Sequence, residues 1–252
     1  MRIAFDMDGV LADLHTTFVQ TAVKLFPELD RALIAAPDVG ASPPGDEAVS
    51  EDIPVVDPTA GVPVSRRQSD AIWTHLGGID NFWMGLREIE SGAVARLASL
   101  ADERRWDVLF ITSRPTSAGF TVQRQTQRWL QQMGFPLPSA YVVHGSRGRV
   151  AQALDLDVVV DDRPDNCLDV VLESKAAAVL IWRGPQATVP ASAKRLGIAV
   201  SPTVNGCLDA LIQAEVSASE GSLLDRMRRL FGLRTRSAAS ILRRGGTGNS
   251  AG

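Results

Sequence analysis

Three polar clusters, each placed directly after an apolar run, are the residues of this chain that could do chemistry. In chain order they are Asp6 and Asp8, then Thr112 and Ser113, then Asp161 and Asp162. If the apolar runs are parallel strands, the clusters meet beyond the carboxyl ends of one sheet, where ligands bind. Gathered carboxylates repel one another unless a cation is present, and an all-oxygen set favours Mg²⁺ together with phosphate. The pattern therefore predicts a magnesium-dependent site for a phosphate.

The two aspartates of the first cluster could take different roles in such a site. Asp6 can attack phosphorus and form an aspartyl-phosphate. Asp8 can protonate the leaving oxygen and then activate a water molecule. Residues i and i+2 of an extended strand point the same way, so both carboxylates can face one phosphate. Gly9 permits a sharp exit from the strand and a close approach of the backbone.

A phosphoryl group also needs donors and positive charge against its developing negative charge. Thr112 or Ser113 can hydrogen-bond a phosphoryl oxygen, although both could instead cap a helix before Pro115. Arg147 or Arg149 could supply the positive charge, and the sequence alone leaves both open.

The elements that must position these clusters are indicated by the hydrophobic pattern. Apolar runs over 108–111, 158–160 and 177–182 read as buried strands, and the chain starts with a fourth. Helical patterns separate them, near 14–25, 94–100, 122–133, 150–156 and 164–173. Continuously apolar strands that alternate with helices predict an α/β fold with a parallel sheet covered on both faces.

The formal net charge of −3 is the sum of unlike segments. Residues 28–70 carry nine acids and three arginines, whereas residues 221–252 carry seven arginines and one acid. We divide the chain into a catalytic core of 1–27 and 91–215, a cap with an acidic Pro/Gly-rich insertion at 28–90, and a basic amphipathic, partly disordered tail at 216–252.

The basic tail allows three interpretations. It could pack as a terminal helix on the surface, attach weakly to anionic lipid or nucleic acid, or contact the acidic segment of the same or another chain. The slightly negative total charge argues against nucleic acid as the main partner. The sequence predicts no particular oligomeric state.

Localisation in the cytoplasm is expected from three features. The two cysteines, Cys167 and Cys207, cannot form a disulfide framework. No apolar run approaches the roughly 18 residues of a transmembrane helix. Asp6 and Asp8 fall where a signal peptide would have its apolar region.

The polar clusters lie in motifs that resemble those of the haloacid-dehalogenase-like phosphohydrolases. DMDGVLAD, FITSRP and VVVDDRPDN look like motifs I, II and IV of that superfamily. The segment NFWMGLREIESGAV is similar to the cap region of the 5′(3′)-deoxyribonucleotidase (cytosolic type C 5′-nucleotidase) family, and DDRPDN agrees with that family. The resemblance covers about residues 1–185.

This resemblance implies a doubly wound, Rossmann-like parallel sheet with a small helical cap inserted after the first strand and helix. It implies Mg²⁺ held by Asp6, the backbone carbonyl of Asp8, and Asp162, with Asp161 in support. It also implies that Asp6 is the nucleophile and that Asp8 is the general acid and base.

The chain departs from the family pattern at motif III, which usually has a lysine. No lysine lies between Lys24 and Lys175, so Arg147 or Arg149 must stand in. Arginine keeps the charge of lysine but not its point-charge geometry.

The predicted function is a Mg²⁺-dependent phosphomonoester hydrolase of the 5′-nucleotidase type, with a small phosphorylated substrate, first of all a nucleotide. One alternative is a phosphatase for another small phosphomonoester. The other is a catalytically weak binding or regulatory protein on the same fold, for which the motif III arginine is the hint. In the cap, Trp73, Phe82 and Trp83 could stack on a base or simply fill the core.

Overall fold

A computed structural model describes residues 1–29, 54–56 and 62–216 of the chain. Most of the acidic insertion and the basic tail after Val216 lie outside these residues. The three interpretations of the tail therefore stay predictions. Within the described part, no helix has the length and apolar character needed to cross a membrane.

Six parallel strands form the central sheet, and a separate two-stranded antiparallel pair accompanies it in the described residues. The strands are β1 (Arg2–Asp6), β2 (Pro54–Val56), β3 (Pro63–Ser65), β4 (Asp107–Thr112), β5 (Ser139–Val142), β6 (Val158–Asp161), β7 (Ala177–Ile181) and β8 (Ala199–Ser201). The central sheet has the order β5-β4-β1-β6-β7-β8, and β2 pairs with β3.

Eight α-helices and two short 3₁₀ turns occur in the described residues. The helices are α1 (Leu14–Leu25), α2 (Arg66–Gly77), α3 (Ala93–Arg104), α4 (Val122–Gln132), α5 (Arg147–Ala153), α6 (Pro164–Glu173), α7 (Ala191–Leu196) and α8 (Val204–Val216). The 3₁₀ turns are Phe82–Met84 and Gln186–Thr188.

Alternation along each strand divides the core between the two faces of the sheet. In β1, Ile3 and Phe5 join one buried cluster, whereas Ala4 joins another. The first cluster includes residues of α1, α2, α3, α4 and α8, and the second includes residues of α5, α6 and α7. Because successive side chains of a strand point to opposite faces, strands buried on both sides must be apolar throughout. The predicted doubly wound α/β fold is confirmed.

The winding direction predicts a ligand site at the carboxyl end of β1. From β1 the chain moves outward through β4 and β5, and then returns to pair β6 with the other side of β1. In open parallel sheets such a change of direction is the point where ligands bind.

The described part of the insertion between α1 and α3 packs onto the first face of the sheet. Ser65 caps α2, since its hydroxyl accepts from the Gln68 amide at 3.3 Å and the Gln68 side chain accepts from the Ser65 amide at 2.9 Å. Ile72 and Leu76 of α2 are buried in the same cluster as Phe18 of α1. The boundaries at 27/28 and 90/91 stay a prediction.

Glu90 joins three separate parts of the fold, just before α3. Its carboxylate accepts from the amides of Val204 and Asn205 at 2.6 and 3.0 Å, and so caps α8. It also accepts from Arg183 at 3.2 Å, and Arg183 in turn donates to the carbonyls of Gly9 and Val10 in the loop after β1. Burial favours a raised pKa of Glu90, but these donors outweigh it and hold the pKa below its usual value.

The Glu90 contacts should stabilise the fold in a pH-dependent way. Because the pKa of Glu90 is lower in the folded state, its contribution is present above the unfolded value of about 4.5 and is lost as the pH falls. We expect Glu90→Gln to cost about 1–3 kcal/mol of unfolding free energy at pH 7 and less near pH 3, where Glu90 takes up a proton in the folded state as well. Urea unfolding at both pH values measures this. Glu103→Gln, at an exposed carboxylate 3.9 Å from Arg104, is the control and should cost little; an equal loss in both variants would contradict the role of Glu90.

Candidate active site

The three polar clusters meet because the strands that carry them are neighbours. Asp6 is the last residue of β1, Thr112 the last of β4 and Asp161 the last of β6. Strand β1 pairs with β4 on one side and with β6 on the other. All three strands run in the same direction, so their final side chains reach the same edge of the sheet.

A buried arginine joins the clusters of the first and third strands. Arg147 Nη2 donates to Asp6 Oδ1 at 3.0 Å, and its Nε lies 3.7 Å from Asp161 Oδ2 without a hydrogen bond. Only 4% of the Arg147 side chain is exposed, so the pair is shielded from water. Between the two arginines that the sequence left open, Arg147 is the one that the structure places against Asp6.

The start of α5 explains why Arg147 reaches the site and Arg149 does not. The hydroxyl of Ser146 accepts from the amides of Gly148 and Arg149 at 3.1 and 3.3 Å, so the helix begins at Arg147 rather than near residue 150 as the hydrophobic pattern predicts. Gly148 lies so close to α6 that a Cβ would stand 2.1 Å from the Asp169 carbonyl oxygen. Arg149 points outward, with 82% of its side chain exposed and Glu173 3.7 Å away.

Asp8 is held by Arg114, a residue that the sequence analysis did not single out. Arg114 Nε and Nη2 donate to the two carboxylate oxygens of Asp8, each at 2.7 Å. Its remaining nitrogen donates to Thr126 of α4 at 3.0 Å, and its guanidinium lies 4.7 Å from the ring centre of Trp83. With a fully buried side chain, Arg114 fixes the orientation of the Asp8 carboxylate. In the sequence, the position of Arg114 two residues after Thr112 could have indicated that it lies near the site.

The two hydroxyl residues of the second cluster differ in position. Thr112 is buried, and its hydroxyl lies 3.4 Å from Asp8 Oδ2, at the outer limit of a hydrogen bond. Ser113 is exposed at the end of the strand. Their roles as phosphate donors stay predictions.

The third cluster is built on the loop from β6 to α6. Asp161 is fully buried and accepts from the Arg163 amide at 2.8 Å and from the Asn166 side chain at 2.9 Å. Asp162 lies against the backbone of Gly9, where a Cβ would stand 1.9 Å from its Oδ2. Gly9 also has φ = +82°, which any other residue adopts only with strain. The predicted need for glycine after the first aspartates is thus explained by Asp162.

Burial and mutual repulsion raise the pKa values of these carboxyls. For Asp6, burial has the largest effect, the charge of Asp161 adds to it, and Arg147 opposes both. Burial also raises the pKa of Asp161, although Arg147 and the Arg163 amide act against it. For Asp162, burial and the charge of Asp161 raise the pKa to about 8. Full ionisation of the three carboxyls would therefore place more buried negative charge here than Arg147 balances.

The residues present fit a magnesium ion by charge and by donor chemistry. Asp6, Asp162 and the Asp8 carbonyl would supply only oxygen ligands, as Mg²⁺ prefers. Among the described residues, no group of three or more His, Cys, Asp or Glu side chains is arranged to hold a metal. The expected magnesium ligands include only two carboxylate side chains, those of Asp6 and Asp162, because the third ligand is the Asp8 carbonyl. They therefore do not form a group of three side chains.

The aromatic residues of the insertion belong mainly to the core. Phe82 and Trp83 are buried, with 6% and 1% exposure. Trp83 Nε1 donates to the Pro115 carbonyl at 3.1 Å, and the half-buried Trp73 packs 5.3 Å from the ring of Phe18. Trp83 reaches the site through Arg114, and base stacking by these aromatics stays a prediction.

Both cysteines are buried free thiols. Burial, followed by the charge of Asp161, raises the pKa of Cys167 well above its usual value. Burial also raises the pKa of Cys207 to about 12. Neither thiol has the thiolate character that a nucleophile needs.

The raised pKa of Asp162 predicts how the metal-free protein responds to pH. A carboxyl with a raised folded-state pKa stabilises the fold below its unfolded value of 3.8 and loses that contribution as the pH rises through about 8. In EDTA we expect Asp162→Asn to raise the melting temperature at pH 8 by roughly 2–8 °C and to change it little at pH 4. Thermal unfolding at both pH values measures this, with Asp165→Asn, at an exposed first-turn residue of α6, as the control. An equal response of Asp162→Asn at both pH values would contradict the account.

No family model matches this chain, and no curated protein does. Among solved structures, the chain is similar to a hydrolase from Pseudomonas syringae, with 14% identity and a TM-score of 0.45, over 83% of this chain and 98% of that one. It is also similar to a protein assigned as a beta-phosphoglucomutase from Thermotoga maritima, with 15% identity and a TM-score of 0.47, over 83% and 97% of the two chains. A third is CbbY from Rhodobacter sphaeroides in complex with phosphate, with 15% identity and a TM-score of 0.35, over 72% and 85%.

Proposed function

We propose that this chain is a magnesium-dependent phosphomonoester hydrolase of the haloacid-dehalogenase-like class. The observation that carries the proposal is the placement of Asp6 at the sheet's switch point, with a buried arginine on its carboxylate and Asp8 beside it. A carboxylate nucleophile, a second carboxylate for proton transfer and a fixed positive charge are what phosphoryl transfer through an aspartyl-phosphate needs.

In the first step, a carboxylate oxygen of Asp6 attacks phosphorus and the bond between phosphorus and the ester oxygen breaks. The leaving oxygen takes its proton from Asp8. Arg147 stays at Asp6 and stabilises the negative charge that develops on the phosphoryl oxygens. Because Arg147 is buried and needs no reorganisation, its charge acts in a site that is shielded from water.

In the second step, a water molecule gives a proton to Asp8 and attacks the phosphorus of the aspartyl-phosphate. The bond between phosphorus and Asp6 breaks, and inorganic phosphate and free Asp6 result. Arg114 holds both oxygens of Asp8 in one orientation, so Asp8 can serve both steps from the same position.

The metal would be held by Asp6, Asp162 and the Asp8 carbonyl, with Asp161 in support. When bound, Mg²⁺ supplies positive charge to the phosphoryl oxygens and offsets the repulsion among the carboxylates. Asp161 keeps the arrangement in place through Asn166 and the Arg163 amide.

For the substrate we propose a nucleoside monophosphate of the 5′-nucleotidase type. The support is the NFWMGLREIESGAV segment, which resembles the cap region of the 5′(3′)-deoxyribonucleotidases, and its Trp83, which lies beside Arg114. A sugar phosphate would use the same carboxylates and Arg147. A panel of both kinds of substrate therefore distinguishes the two classes.

We expect the protein to release phosphate from nucleoside monophosphates with Mg²⁺ and to lose this activity with EDTA. Asp6→Asn should abolish turnover, since an amide cannot attack phosphorus, while leaving the circular dichroism spectrum unchanged. Phosphate release from a panel of nucleotides, sugar phosphates and an aryl phosphate measures this. A preference for sugar phosphates would mean that the protein is a phosphatase of another substrate class rather than a nucleotidase. No release from any of them, the aryl phosphate included, would favour a binding protein instead.

The two arginines of α5 provide a matched test of the positive charge. Arg147→Met should lower kcat by about 10²–10³-fold, and Arg147→Lys should restore part of it because the charge remains. Arg149→Gln removes an exposed charge two residues away and should leave kcat within about twofold. Steady-state kinetics on one substrate compares them; equal losses from Arg147→Met and Arg149→Gln would contradict the assignment.

A further inference from the structure

Helix α4 has an outer face made only of basic and amide side chains. Its inner residues, Val122, Gln125, Thr126, Trp129 and Leu130, are buried. The outer face carries Arg124, Gln127, Arg128 and Gln131, which recur at helical spacing. The helix contains no acidic residue, so every charge on this face is positive.

This face forms one wall of an open cavity of about 380 Å³. Leu137 and Pro138, from the segment between α4 and β5, line the same cavity. Gln127 Nε2 donates to the Pro138 carbonyl at 3.4 Å, so a hydrogen bond links α4 to this segment.

Two guanidinium groups of this wall share a single aromatic ring. The centres of Arg124 and Arg128 lie 4.2 and 4.1 Å from the ring centre of Phe120. Phe120 is itself fixed, because its amide donates to Asn81 at 2.9 Å and its carbonyl accepts from Gln125 at 2.6 Å. In the part of the chain that the structure describes, neither arginine forms an ion pair with a carboxylate. Two adjacent like charges without a counter-charge favour the binding of an anion.

Leu137, one of the residues that line the cavity, is both strained in its backbone and exposed to water. Leu137 has φ = +51°, a left-handed conformation that is rare for any residue other than glycine, asparagine or aspartate. Its side chain is also 89% exposed, which leaves a large apolar group in water beside the arginines. Strained backbone of this kind is concentrated at ligand-binding sites.

We propose that this α4 cavity binds a small organic phosphate that carries an apolar ring, of the nucleoside monophosphate class. The forked guanidinium groups of Arg124 and Arg128 match the oxygens of a phosphate. Leu137 and Pro138 cover the ring, and Gln127 and Gln131 offer amides to its polar edge. The six lining residues include none of the residues of the candidate active site, so the proposal concerns a second site.

The test counts binding sites by isothermal titration calorimetry with adenosine 5′-monophosphate. All proteins are full-length and carry Asp6→Asn to prevent turnover, and EDTA is present. Adding Arg124→Gln and Arg128→Gln should remove one equivalent of binding or weaken it at least tenfold. Adding Lys194→Gln and Arg195→Gln removes two exposed charges from α7 instead and should leave the count unchanged. Adenosine should not bind at the α4 cavity, and inorganic phosphate should compete there.

The difference between the variants does not depend on the proposed function. If the active site binds no nucleotide, the number of adenosine 5′-monophosphate sites is lower by the same amount in every protein. The α4 substitutions should still remove binding relative to the parent. The proposal is overturned if the α4 variant binds as the parent does, or if the α7 variant shows the same loss. It is also overturned if the α4 substitutions remove as much adenosine binding, at the same affinity, as they remove adenosine 5′-monophosphate binding.

Discussion

Repulsion among the carboxylates at the ends of β1 and β6 is the constraint around which the site is arranged. Asp6 and Asp161 are buried side by side, and Asp162 stands next to them. Taking such charges out of water is costly unless opposite charges and hydrogen bonds replace the water. Arg147 provides one positive charge and Asn166 provides donors, so full ionisation of all three carboxyls would leave negative charge that a divalent cation could balance.

Several features far from the chemistry serve this arrangement. The Ser146 cap and the close packing of Gly148 on α6 begin helix α5 at the residue that reaches Asp6. Arg183 binds the carbonyls of the loop after β1 and is itself held by Glu90, so the loop that carries Asp8 is tied to the start of α8. Catalytic geometry of this kind depends on supports that fix the side chains from behind.

The strands and their terminal polar residues could be predicted because the pattern is local. A short apolar run followed by an aspartate or threonine contains both the strand and its functional end, as at Asp6 and Asp161. Arg147 could not be chosen over Arg149, because the choice depends on a cap and on contact with α6. Arg114 was missed because its partner, Asp8, lies 106 residues away in the chain. Strand β8 is only three residues long and gives no pattern of its own.

The central claim, that Asp6 carries the phosphoryl group during turnover, is tested most directly by mass spectrometry of acid-quenched protein. Asp8→Asn slows the step in which water attacks, whereas an aryl phosphate with a good leaving group can pass the first step without a proton from Asp8, so the intermediate should accumulate in that variant with Mg²⁺ and the aryl phosphate. We expect a phosphoryl group on the peptide that contains Asp6, and none when Asp6 is also changed to Asn. Cleavage of the aryl phosphate by the Asp8→Asn variant without a phosphoryl group on Asp6, or a phosphoryl group that persists when Asp6 is also changed, would contradict it.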